Sequence, residues 1–338
     1  MLLLSLAQSS APSLPARVER RVAAMGTHFE LSVEASERRL ALAASEVAVR
    51  ALESVEQRLS TWRGDSDLAR FNAAPAGVPV EVSPELAADL RACRELWNAS
   101  QGAFDPTVGA LVRAWDLRGS GRLLDGAGVA QALASVGFDR GCIEQPDGRW
   151  VRGERVVLEE GGFGKGVGLD AALASLRAGS AIARLDLGGQ VAVLGERVEW
   201  SIADPRQRAS AVLAWSIESG SIATSGNSES RRDVEGTVLG HLIDPRDGRP
   251  AADFGSVSVW CAGATAADAF STAAFVMGPQ SAWSWARARA DVELVLLVCD
   301  GERLSAHAEP ELRDRVRVLS ERVQLSFDGP RATNTERR

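Results

Sequence analysis

The chain has 338 residues, 45% of them hydrophobic and 25% charged, with a formal net charge of −7. That length allows one large or two ordinary domains and enough apolar surface for a core, while the acidic balance argues against a nucleic-acid or anionic-membrane surface. Cys93, Cys142, Cys261 and Cys299 show no C-x-x-C spacing, which disfavours a zinc ribbon and excludes a dense disulfide framework; three of them stand in apolar contexts and read as core residues.

Residues 1–16, MLLLSLAQSSAPSLPA, join a short apolar run to a Ser/Pro/Ala-rich stretch without a basic start. They read as a flexible or signal-like arm. A membrane span needs roughly 18 or more apolar residues in a row, and no stretch supplies them. From 17 to 34 apolar and polar residues alternate, which predicts two strands broken at Met25-Gly26-Thr27. Residues 36–60 have helical periodicity, with Ser36 as cap and Leu40, Ala44, Val47, Ala51, Val55 and Leu59 as the apolar stripe.

The polar stretch 60–72 holds Trp62, read first as cover for the core, with a stacking surface as the alternative. Ser83-Pro84 opens a second helix to about residue 98, Ser as cap and Pro in the first turn. Gly102 can end it, and Asp105-Pro106 can cap and start another. Ala103-Phe104-Asp105 then lie in a chain reversal, which is either an anion or ligand site or a plain helix–helix turn. A short helix is expected at 126–137 and a hairpin at 148–158.

EEGGFGKGVGLDAALASL, 159–176, follows a strand and opens a helix, the setting of a phosphate-binding loop. It matches neither G-x-G-x-x-G nor G-x-x-x-x-G-K-[ST], so no Rossmann site or P-loop is indicated. Its glycines would still bare backbone amides beside the charge of Lys165. Strands with a Gly188-Gly189 turn are expected over 181–203, and a strand running into a Ser/Gly-rich loop over 219–230. His241 stands at a strand end before the turn Asp244-Pro245 and Asp247-Gly248; an isolated His is ordinarily structural, and an acid/base or ligand role is the alternative.

CAGATAADAFSTAAFVMG, 261–278, predicts a helix capped by Thr265, with Asp268 in its first turn and an apolar stripe of Ala269, Phe270, Ala273, Ala274 and Met277. Asp268 and Thr272 are four apart, so a carboxylate and a hydroxyl share one face; such hard oxygens suit Mg²⁺ or Ca²⁺. The ordinary reading of the pair is dipole complementation by Asp and a Thr turned to solvent or to its own helix. A Trp-containing helix near 280–290, a buried strand at 292–298 and strands at 314–327 complete the pattern. No repeat and no composition break divides the chain. Residues 17–328 therefore read as one domain, with a disordered tail at 329–338.

In this order, MGTHFELSV, STWRGDSDLARFN, GAFDPTVGALVRAW, EEGGFGKGVGLD with LDLGGQVAVLG, IATSGNSE with HLIDPRDGRP, and VSVWCAGATAADAFSTAAFVMG resemble the FAD:protein FMN transferases, the ApbE family. The resemblance spans roughly residues 22–300. It implies an α+β fold, a single mixed domain of interleaved, largely antiparallel sheets with helices. It also implies FAD as substrate, Mg²⁺ as cofactor, and transfer of FMN to a Thr hydroxyl of an acceptor protein with release of AMP. Some members instead hydrolyse FAD. The acceptor would carry a Ser/Asp-Gly-Ala-Thr-like motif. By position, Asp268, Thr272 and the Gly162 carbonyl match metal ligands. Met25, Trp62, Ala103, Phe104, Asp105, Glu159, Lys165 and Leu242 match flavin-nucleotide contacts. His241 matches the His beside the diphosphate and is the expected general base, with Asp268 the alternative. Glu159-Glu160 stands where the family has Asp-Leu, and Trp62 where it has Tyr; the metal pair and His241 are kept, so an active enzyme is expected. Family members usually work outside the cytoplasmic membrane, which agrees with the signal-like start; the cytoplasm is the alternative. Gly263-Ala264-Thr265 is itself similar to an acceptor motif, though a helix cap is the simpler reading.

Overall fold

The computed structural model describes residues 15–177, 182–229 and 231–330. The bulk of the stretches read as an arm (up to 14) and as a tail (from 331) lies outside them. Strands β1 (Ala16–Ala24) and β2 (Thr27–Ala35) pair antiparallel with Ala24 opposite Thr27, leaving Met25-Gly26 as a two-residue turn. Both turn residues have positive φ, 48° and 72°, as a type I′ hairpin requires at its two centres. Glycine accepts that readily; Met25 is held in a region that non-glycine residues seldom enter.

Helix α1 (Arg38–Leu59) buries Ala41, Ser45, Ala48, Leu52, Val55 and Leu59. Val55 and Leu59 are buried as expected, but the N-terminal part of the stripe is displaced by one residue: Leu40 and Val47 are 44% and 40% exposed. Small Ala41, Ser45 and Ala48 face inward, and Glu37, not Ser36, holds the cap position. Helix α2 (Asp67–Ala73), capped by Ser66, falls in the stretch read as a polar segment. After β3 (Pro79–Val80), α3 (Pro84–Ala99) starts as expected, with Ser83 Oγ accepting from Leu86 N at 3.1 Å. Positive φ at Gln101 and Gly102 turns the chain out of it.

Helix α4 (Gly109–Ala114) begins later than expected, with Val108 at its cap; Asp105 does not cap it. Then follow α5 (Gly126–Leu133), α6 (Phe138–Gly141), β4 (Cys142–Glu144) and β5 (Trp150–Arg152). The hairpin predicted at 148–158 is β4–β5, because the turn at Asp147-Gly148 precedes β5 and does not follow it. Helix α7 (Gly164–Arg177) leads to β6 (Ile182–Leu187), β7 (Gln190–Leu194), β8 (Val198–Asp204), β9 (Gln207–Ile217) and β10 (Gly220–Gly226). The chain ends with β11 (Arg232–Val234), β12 (Thr237–Leu239), β13 (Gly255–Cys261), α8 (Ala264–Met277), α9 (Pro279–Arg287), β14 (Glu293–Asp300), β15 (Arg303–Ala308), β16 (Val316–Val318) and β17 (Val323–Ser326).

The main sheet runs β1-β2-β6-β7-β10-β13-β14-β15-β17, antiparallel except for the last pair. Its two faces are covered differently. On one, α1, α7 and α8 bury Leu52, Leu169, Leu173 and Phe270 against strand residues such as Phe29, Leu185 and Val259. On the other, the small sheet β16-β9-β8 packs Ile202, Leu213 and Trp215 on Val191, Ile222 and Val295. A satellite core of Leu111, Trp115, Val129 and Ile243 joins α4 and α5 to the segment after β12. The fold is α+β, one mixed domain of largely antiparallel sheets. Cys93, Cys142 and Cys261 are buried and free.

Candidate active site

Helices α7 and α8 meet at a glycine. A Cβ on Gly166 would lie 2.4 Å from Ala264 O and 2.5 Å from Thr265 Cα, so only glycine allows this approach. The contact brings Gly166 N to Asp268 Oδ2, a hydrogen bond of 3.0 Å. One turn further along α7, Asp170 caps α8 from outside: it accepts from Ala264 N at 2.8 Å, Thr265 N at 2.8 Å and Thr265 Oγ1 at 2.7 Å. This corrects two expectations. Thr265 is inside the helix rather than its cap, Gly263 holding the cap position, and Asp268 falls after the first turn. The helix is also buried nearly all round, not along one stripe.

Three adjoining cavities open at this junction. One, of about 290 Å³, is lined by Ala103, Phe104, Asp105, Glu159 and Gly162. A second, of about 190 Å³, is lined by Lys165, Gly188, Arg208 and Asp268. The third, of about 820 Å³, lies between Met25 and Trp62. His241 and Gly161 line all three, Thr272 and Leu242 the two smaller ones. The residues that the resemblance matched to metal, flavin or catalytic positions therefore gather around adjoining cavities, although they span residues 25 to 272 of the chain.

Asp268 is buried, and that burial raises its pKa; the Lys165 charge and the amides of Gly166 and Lys165 pull it back. A Cβ on Gly162 would stand 3.6 Å from Thr272 Oγ1 and 3.4 Å from the Phe104 ring, so the Gly162 backbone lies against the Thr272 side chain. A carboxylate, a hydroxyl and a nearby backbone segment offer hard oxygens that fit Mg²⁺ or Ca²⁺. Among the described residues no cluster of three or more His, Cys, Asp or Glu could hold a metal, so a soft-metal cage is not offered.

Glu159 is pushed up by burial and drawn down by Arg118, with which it forms an ion pair. The same guanidinium donates to Thr61 Oγ1 and stacks 4.4 Å above the Trp62 ring. Thr61 Oγ1 in turn donates to Glu160 Oε2 at 2.5 Å. Trp62 is 73% exposed, so it does not cover the core; it is an open aromatic surface steadied by a cation. Asp105 Oδ1 accepts from Thr107 N at 2.8 Å and Thr107 Oγ1 at 2.6 Å, and Oδ2 from Phe138 N at 3.1 Å. Both its oxygens thus hold the turn that presents Ala103 and Phe104. His241 follows Gly240, where a Cβ would fall 2.3 Å from the Asn227 amide; buried Asn227 backs the His241 segment.

Arg118 and Arg208 escaped the sequence reading. Arg118 sits in a Gly/Ser-rich stretch that has no pattern. Arg208 opens β9 and joins Lys165 only through the packing of the small sheet on the large one.

A model of the ApbE family matches residues 25–296. An FAD:protein FMN transferase of Rhodobacter capsulatus is 36% identical over 280 residues, covering 78% of this chain and 51% of the relative, so the chain spans about half that relative's length. One of Treponema pallidum is 32% identical over 325 residues, 84% of each chain. The crystal structure of the ApbE protein of Thermotoga maritima superposes with a TM-score of 0.78 at 26% identity, over 84% of this chain and 94% of that one.

Proposed function

The chain belongs to the ApbE family, and on that premise we propose that it is a transferase that moves FMN from FAD to a protein acceptor, the activity its relatives are named for. The observation that carries the reading is the position of His241 on the border of all three cavities, with Lys165, Asp268 and Thr272 around it. The cavity between Met25 and Trp62 takes the isoalloxazine, whose flat π-system packs on a thioether and an indole. The cavity of Ala103, Phe104, Asp105 and Glu159 takes the adenosine end, with Leu242 on its wall. The diphosphate between them lies near Lys165 and Arg208, whose charges oppose its own.

The acceptor is a Thr hydroxyl in a Ser/Asp-Gly-Ala-Thr-like motif. Its oxygen bonds to the FMN phosphorus, the bond from that phosphorus to the bridging oxygen breaks, and AMP leaves. His241 takes the hydroxyl proton; Asp268 is the alternative base. Asp268, Thr272 and the Gly162 carbonyl would hold Mg²⁺, which when bound supplies positive charge to the diphosphate oxygens. The apolar run at residues 2–7 supports an extracytoplasmic location, which sequencing of the mature N-terminus from the native host tests. No helix among the described residues is long and apolar enough to cross a membrane.

Incubation with FAD, Mg²⁺ and a motif-bearing peptide tests the reading. Covalent flavin fluorescence on the peptide with one AMP per flavin is expected, and its loss in His241→Ala at saturating FAD. Free FMN with AMP and no labelled peptide would point to a hydrolase. Intact bound FAD would point to a carrier.

A further inference from the structure

The small sheet ends in an unshared edge beside the reaction cavity. Strand β8 pairs with β9 alone, and among the described residues no other backbone hydrogen bond engages its edge. The register tells which groups face outward. Ser216 of β9 donates its amide to Arg315 O at 2.8 Å, on the β16 side, and Ala214 pairs with Arg317 of β16. Ser216 stands opposite Glu199, and Ala214 opposite Ser201. Backbone groups alternate sides along a strand, so Glu199 and Ser201 turn their N–H and C=O away from β9 into the open. Past Ile202 the ladder is irregular, and the stretch from Trp200 to Pro205 walls the cavity that holds Lys165, Asp268 and Thr272.

Bare edges invite pairing, and proteins usually blunt them with Lys, Pro or a covering segment. Between Trp200 and Ala203, β8 has no Lys and no Pro. Its outward charge, Glu199, is neutralised by Arg317 through bonds of 2.8 and 2.5 Å. Ser201, Ala203, Gly188 and Gly189 leave small side chains around the opening. At about 190 Å³ the cavity is smaller than the roughly 300 Å³ at which ordinary ligand pockets begin, so it suits small residues.

We propose that an extended segment of the acceptor polypeptide adds to the free edge of β8, pairing its backbone with Ser201 and delivering its hydroxyl side chain into the cavity beside His241. The inference rests on the transfer reading above. Affinity then comes from main-chain hydrogen bonds, and selectivity from the small space.

The test uses the wild-type protein, FAD, Mg²⁺ and a twelve-residue peptide centred on Ser-Gly-Ala-Thr, with a series N-methylated at one residue at a time. Strand addition predicts a loss of transfer by about tenfold or more at every second residue and near-normal transfer at those between. A flat series, in either direction, overturns the proposal. So does wild-type protein that turns over FAD yet leaves the unmodified peptide unlabelled, because an edge-docked strand needs no folded acceptor. Absence of both FAD turnover and transfer defeats the transferase reading itself, and this docking mode with it. Independently, Ser201→Pro removes the outward N–H while keeping the ladder to β9, a position where an edge strand tolerates proline. The KM for the peptide should rise about tenfold with a smaller change in kcat; an unchanged KM overturns the assignment.

Discussion

Replacing Gly166 by Ala tests the helix contact that holds the candidate metal pair. The new Cβ would meet Ala264 O at 2.4 Å, Thr265 Cα at 2.5 Å and Ala264 C at 2.7 Å. All three are backbone, so no side chain can swing aside. Relief to an ordinary contact of about 3.5 Å requires a separation of roughly 1 Å between α7 and α8. Overpacking of that kind costs about 1–3 kcal/mol. The same displacement stretches the 3.0 Å bond from Gly166 N to Asp268 beyond hydrogen-bond range, and a bond to a charged group contributes about 1.5–3 kcal/mol. Helix propensity returns about 1 kcal/mol on the Ala side. The net expectation is a loss of about 3 kcal/mol, a fall in Tm of about 4 °C for a chain of this size. Asp268 also loses an amide that holds its pKa down, so the acid limb of the activity profile should move to higher pH. Thermal unfolding and FAD turnover against pH measure both effects. Gly161→Ala is the control for stability, since a Cβ there meets nothing within 4 Å. A Gly166→Ala protein that melts with the wild type would refute the account of the helix contact.

Three further outcomes are expected. Arg118→Lys keeps a charge near Glu159 but loses the planar stack on Trp62, so the KM for FAD should rise about fivefold while Tm stays within about 2 °C; steady-state kinetics decide it. Asp170→Ala strips α8 of its external cap, and unfolding in urea should show a loss of about 2 kcal/mol, with kcat reduced through Asp268. Glu309 accepts from Leu294 N at 2.9 Å, and burial raises its pKa from 4.5 to about 7. The folded chain thus keeps a proton that the unfolded chain releases near pH 4.5. Its contribution to stability is full below that pH and is lost as pH rises through about 7. Glu309→Gln should flatten the stability profile in that window, and a slope equal to wild type would refute the assignment.

Features set by neighbouring residues were legible in the sequence. The Met25-Gly26 turn, the Ser83-Pro84 start and the glycine-rich opening of α7 each depend on local backbone preferences. Features set by another element were not. The position of Asp268 on a helix was readable, but the cap of that helix comes from Asp170 on α7, far away in sequence. The α1 stripe is legible at Val55 and Leu59 but not in its N-terminal half, where Ala41, Ser45 and Ala48 are buried in preference to the larger Leu40 and Val47. Trp62 looked like core cover because indoles usually are. Its open position depends on Arg118, whose stretch carries no periodicity. The free edge of β8 depends on which strand lies beside it, and no residue in the strand announces that.

The glycine-rich element has a wider part in the fold than its sequence suggests. Its glycines suggested bare amides for a phosphate. In the fold four of them also make room for neighbouring parts of the chain. Gly162 admits the Thr272 side chain, and Gly166 admits the start of α8. At Gly168 a Cβ would stand 3.2 Å from Met25 Sδ, and at Gly164 3.4 Å from Met25 Cε. One turn and the helix it opens therefore set the spacing of the candidate metal pair on one side and of Met25 on the other. Lys165 lies between these contacts, which places its charge by packing before any anion arrives. For the proposed phosphoryl transfer, a site assembled in this way would need little rearrangement of its charges, and such preorganisation is where most of the catalysis in that chemistry resides.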